Sequence, residues 1–131
     1  MSLRNPQFRS AARRVRGLGA ARSGTGHFIG SRVTSVALLF LSIAFIAVVV
    51  GLLGRNHAAV VQILGSPLVA VLMLLFVGTT VYHMWIGMQV VIEDYVHNEK
   101  LKLASIMANN FFSAAVALAS IYAILKLSSG V

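Results

Sequence analysis

Three apolar runs dominate the chain, roughly Val33 to Leu53, Pro67 to Ile92 and Leu103 to Leu127. Each is close to or longer than the ~20 residues that carry a helix across a bilayer. Hydrocarbon offers backbone amides no partner, so a spanning segment must satisfy them internally. Runs of this length therefore predict an all-α fold of three transmembrane helices. Composition agrees: 58% of the 131 residues are hydrophobic and 11% are charged, against about 25% charged in soluble domains. Little chain is left for a soluble domain. The expected division is a basic arm over residues 1–30 and a membrane domain over 31–131, with spans at about 32–54, 67–92 and 103–127.

The net charge of +8 is unevenly placed. Arg4, Arg9, Arg13, Arg14, Arg16 and Arg22 crowd the arm, Arg32 opens the first span, and Lys100 and Lys102 follow the second. Only Arg55 and Lys126 fall on the other side of a three-span topology. Positive charge stays on the cytoplasmic side, which predicts that the N-terminus and the Asp94–Lys102 loop face the cytoplasm (or the equivalent matrix) and the C-terminus faces outward. Residues 4–22 also have the Arg-rich, serine-containing, acid-free composition of an organelle transit peptide. On a membrane protein such an arm is expected to meet anionic lipid headgroups or a soluble partner's acidic surface, not nucleic acid. The chain has no cysteine, which excludes a disulfide framework, thiolate-held iron–sulfur clusters and cysteine catalysis within it.

Gly17, Gly19, Gly24 and Gly26 are too many for a stable helix in water, so the arm is expected to be extended or ordered by a partner. The first span should start near Ser31 and end at Gly51–Gly54. The outer loop, Arg55 to Ser66, has room for a short interfacial helix. Pro67 suits the first turn of the second span, where its missing N–H costs nothing. An inner loop, Tyr95 to Lys102, leads to the third span, and Ser128-Ser129-Gly130 is expected to fray. Gly78-Thr79-Thr80 offers small residues for close helix contact. There are no internal repeats and no paired interrupted helices of the transporter kind.

His83 lies within the second run, too deep to reach water. An imidazole in hydrocarbon is costly and marks a functional site by default, and a neutral imidazole ligates haem and other metals. A bland alternative is a hydrogen bond to a neighbouring helix, worth about 1 kcal/mol. Gly87, one turn on along the same face, would let a flat macrocycle approach the backbone. Eleven residues make about three helical turns, so Asp94 falls almost directly below His83, roughly 16 Å away along the axis. With Tyr95 beside it, this edge carries a phenol able to donate to a quinone carbonyl and a carboxylate able to relay protons. Interfacial tyrosines and loop acids are also ordinary. Glu93, His57 and His97 are expected to be solvated, and Tyr82 and Trp85 to pack. His27 and Arg32 open the first span five residues apart and need not share a face. Arg32 reads as a headgroup anchor or a partner for a haem propionate. One histidine cannot complete a six-coordinate haem, so a second ligand would come from another chain.

The run His83-Met84-Trp85-Ile86-Gly87-Met88-Gln89-Val90-Val91-Ile92-Glu93-Asp94-Tyr95 resembles, without gaps, the signature of the succinate dehydrogenase hydrophobic membrane anchor family. That signature is a second-span histidine, a glycine four residues later, and Asp-Tyr at eleven and twelve. The length, the three spans and the basic N-terminus resemble the family too, and Gly26 to Ser35 looks more loosely like the opening of its first span. The resemblance implies a subunit of respiratory complex II in a bacterial inner membrane, or less directly a mitochondrial one. It implies no active site in this chain alone. It further implies one haem b shared with a cytochrome b membrane subunit, with His83 as an axial ligand to the iron. Tyr95 would hydrogen-bond ubiquinone, with Asp94 in the proton path and Arg32 near the haem propionates or the quinone. A flavoprotein subunit would oxidise succinate and an iron–sulfur subunit would pass electrons to quinone, both docked on the cytoplasmic side.

Two rivals predict differently. A small proton-coupled transporter subunit would use His83 as a protonation relay and hold no haem, but no acid lies within the spans to share that task. A haem-free structural anchor would tolerate His83→Leu.

Overall fold

The computed structural model describes the backbone of residues 19–130 and the side chains of residues 26–130. The first 18 residues, with Arg4, Arg9, Arg13, Arg14, Arg16 and Gly17, lie outside the described residues, as does the Arg22 side chain. Four helices follow: α1 (Gly19–Leu52), α2 (His57–Leu64), α3 (Pro67–Tyr95) and α4 (Glu99–Ser129). No strand occurs among the described residues. Helices α1, α3 and α4 are long and apolar enough to cross a membrane, with mean hydropathies of 2.8, 1.9 and 1.8.

Helix α1 has 34 residues, ~51 Å at 1.5 Å per residue, well beyond the ~30 Å hydrocarbon layer. Its start corrects the expectation for the arm, because Gly19 to Gly30 is helical. The glycine penalty, about 1 kcal/mol each, weighs most on a helix that must nucleate in water. Extending one already held in the membrane needs no new nucleus, and each further residue adds a bond.

The connections follow from their caps. Asn56 accepts from the Ala59 N–H and starts α2, the short helix for which the outer loop has room. Pro67 opens α3. The inner loop shrinks to Val96–Asn98, because the Asn98 side chain accepts from the N–H groups of Lys100 and Leu101 and starts α4 at Glu99. Glu99 then sits in a first turn whose positive dipole end favours an acid. Lys102 Nζ donates to the Glu93 carbonyl at 3.2 Å, closing the end of α3. The expected frayed terminus is instead helical through Ser129, with Gly130 in the left-handed conformation at φ 70°, a common way to end a helix.

Helix α3 is the central element, and α1 and α4 each pack on it. Among the described residues only Ala70, Ile86, Ile92, Asn109 and Ser113 are buried. Lipid tails are as apolar as leucine, so close fit and polar links must hold such helices together. Trp85 Nε1 donates to Asn110 Oδ1 at 2.6 Å, and Asn109 Nδ2 donates to the Trp85 carbonyl at 3.1 Å. Phe45 of α1 stacks on Phe76 of α3 at 4.5 Å. Close approach is made at Gly30, where a Cβ would meet Tyr82 Oη at 3.1 Å and Ile86 at 3.4 Å. It is not made at Gly78, which faces open space.

Candidate functional site

His83 stands half-buried on the flank of α3 that meets α1. Its Nδ1 lies 2.8 Å from Thr34 Oγ1. Gly87 is exposed one turn further on, and a Cβ built there would meet nothing within 4 Å. An imidazole with one nitrogen engaged by its own chain, one turn from the bare backbone of Gly87, fits a planar macrocycle laid against the outer flank of the bundle. Among the described residues no three of His, Cys, Asp and Glu gather into a metal-binding group, so this flank offers one ligand and not a whole centre. Counting along α3, His83 lies ~18 Å from Tyr95 and ~24 Å from Pro67, within the membrane but toward the Asp94 end.

Asp94 and Tyr95 end α3 and are exposed, Tyr95 at 79%. Among the described residues their side chains make no hydrogen bond. Glu93 beside them is exposed and accepts from Gln89 Nε2 at 3.3 Å. His57 and His97 are exposed. Arg32 is exposed and sits over the Phe28 ring, its guanidinium carbon 5.0 Å from the centroid. It projects about 160° round α1 from Thr34, on the 100° per residue of a helix. The chain alone thus does not bring Arg32 to His83, although the two lie at similar depth. His27 does face α3, its ring 6.3 Å from Trp85, which in turn lies 5.9 Å from Tyr82.

Sequence reasoning missed Thr34 and the Asn109–Asn110 pair. Two asparagines inside the third apolar run are a readable signal, since polar groups in a span seek a partner helix. Thr34 gives no such signal. Its partner is 49 residues away, and a threonine in a span usually bonds its own helix.

The family model described as the succinate dehydrogenase/fumarate reductase transmembrane subunit matches residues 6–119. The succinate dehydrogenase hydrophobic membrane anchor subunit of Rickettsia bellii is 31% identical over 89% of this chain and 94% of its own length. That of Paracoccus denitrificans is 32% identical over 87% of this chain and 88% of its own. The chain belongs to this transmembrane subunit family, among its hydrophobic membrane anchors. No solved structure matches. Membership makes the chain a multi-pass membrane subunit of succinate dehydrogenase, working beside the other subunits of that complex, and removes the transporter reading. The matched segment includes all three spans through residue 119, and with them His83, Asp94 and Tyr95.

Proposed function

We propose that this anchor subunit binds one haem b jointly with a cytochrome b partner subunit, through His83, and completes a ubiquinone-reducing site with Tyr95 and Asp94. The observation that carries the reading is His83 itself: an imidazole inside a membrane span, held on one edge by Thr34, beside the open flank at Gly87. Haem b, when bound, supplies a one-electron redox centre between the two subunits. His83 would supply one nitrogen ligand to its iron, and the partner subunit would supply the other. Tyr95 donates a hydrogen bond from its exposed hydroxyl to a quinone carbonyl, and Asp94 hands on protons from the aqueous side. Quinone reduction consumes protons, so a carboxylate at the water-facing edge suits the chemistry. Arg32 serves the haem propionates or the quinone vicinity from the same end of α1. The flavoprotein and iron–sulfur subunits dock on that face, which the excess of Lys and Arg marks as cytoplasmic, in a bacterial inner membrane.

Tyr95→Phe tests the quinone role. The variant complex is expected to reduce ubiquinone at least tenfold more slowly while oxidising succinate with artificial acceptors at the wild-type rate. Unchanged quinone kinetics would remove Tyr95 from the site. The conformation of α3 should not change, because the Tyr95 hydroxyl bonds no described residue.

A further inference from the structure

Thr34 has one hydroxyl proton and three neighbours placed to receive it. Its Oγ1 lies 2.7 Å from the Gly30 carbonyl oxygen, 3.1 Å from the Ser31 carbonyl oxygen and 2.8 Å from His83 Nδ1. Carbonyl oxygens can only accept. If the proton pointed to Nδ1, both carbonyl oxygens would face hydroxyl lone pairs with no hydrogen between them. If it points to the Gly30 carbonyl, the hydroxyl keeps two lone pairs, and an Nδ1–H can donate to one of them. The Ser31 carbonyl is already taken by Ser35 Oγ at 2.7 Å, which leaves Gly30 as the natural acceptor for Thr34. This assignment gives a proton to each of the two shorter contacts, at 2.7 and 2.8 Å. A neutral imidazole protonated at Nδ1 carries its lone pair on Nε2.

From this we infer that Thr34 is a positioning residue for His83. It accepts the Nδ1–H, fixes the ring as that tautomer, and leaves Nε2 as the ligating nitrogen on the edge away from α1. The inference rests on the reading of His83 as a haem ligand and adds which nitrogen binds and what holds it. Gly30 serves the arrangement twice. Its carbonyl takes the Thr34 proton, and its missing side chain lets α1 approach Tyr82 and Ile86 closely enough for the bond to form. A threonine bonding its own helix is ordinary in membrane spans; a histidine nitrogen on the same hydroxyl is what gives this one a second task.

The test uses the assembled complex carrying Thr34→Val, Thr34→Ala, Thr34→Ser or His83→Ala. Haem per complex is followed through detergent washing, and the ferric haem is examined by electron paramagnetic resonance. Losing a partner that orients a ligand typically weakens metal binding about 10–100-fold. Thr34→Val and Thr34→Ala should therefore shed haem by that order and shift the ferric signal, while Thr34→Ser restores both. Should one of the hydroxyl-free variants fail to assemble, the other carries the comparison. Wild-type retention and an unchanged signal in the hydroxyl-free variants, beside a His83→Ala complex that has lost its haem, would overturn the inference and leave the haem reading standing. So would a Thr34→Ser complex that behaves like Thr34→Val. A His83→Ala complex with wild-type haem would overturn both.

Discussion

His83 and Thr34 meet because two small features coincide, a glycine at position 30 and a hydroxyl one turn further along α1. The sequence shows the histidine clearly, since an ionisable group in a long apolar run stands out against its neighbours. It does not show the threonine, because a pairing between spans depends on how the helices rotate and how closely they approach. Asp94 and Tyr95 are legible as a pair for the opposite reason: their spacing from His83 is fixed by one continuous helix. Arg32 is legible as the basic residue that opens the first span, but neither its direction nor its depth, level with His83, is. The turn of α1 puts it over Phe28 and away from Thr34. At this scale Gly30→Ala is the sharp test of fit. Its new Cβ would press on Tyr82 Oη, which can swing outward, and on the buried Ile86, which cannot. Overpacking typically costs about 1–3 kcal/mol, and the low end is expected here. Haem retention on detergent washing should fall, but less than in Thr34→Val. Retention equal to wild type would mean that α1 needs no glycine there.

The helices themselves are written in the sequence wherever local chemistry decides them. Pro67 at the head of α3 and Asn56 and Asn98 ahead of α2 and α4 are start signals with a mechanism, and each helix begins at one of them. The misplaced start of α1 shows the limit of this reasoning. Glycine content argues against a free helix, and α1 is not free. Helix α2 makes a second case in which packing outweighs local pattern. It ends at Gly65, where a Cβ would lie 2.6 Å from the Leu127 carbonyl oxygen of α4 and 3.0 Å from that of Val61. Backbone atoms cannot yield as a side-chain tip can, so Gly65→Ala must push α2 off the end of α4. A loss of about 1–3 kcal/mol is expected for such overpacking, seen as a lower apparent melting midpoint of the solubilised complex. An unchanged midpoint would show that α2 is not seated there.

As a whole, the molecule buries few side chains and exposes large apolar ones along every span, among them Phe40, Leu75, Phe111 and Leu118. Such a surface suits lipid and other membrane chains, and it fits a subunit that finishes its packing in a complex. The orientation proposed from the Lys and Arg asymmetry can be read directly, because the chain has no cysteine of its own. With His97→Cys and Ser129→Cys in separate complexes, a membrane-impermeant maleimide applied to intact spheroplasts should label only position 129. Labelling only position 97 would reverse the topology.

The central claim, that His83 holds a shared haem, is tested most directly by a dithionite-reduced minus oxidised visible spectrum of the solubilised complex, wild type beside His83→Ala. A b-type signal in the wild type that weakens or shifts in the variant is the predicted result. An identical signal in both would move the ligand elsewhere, and a wild type without haem would make this chain a haem-free anchor.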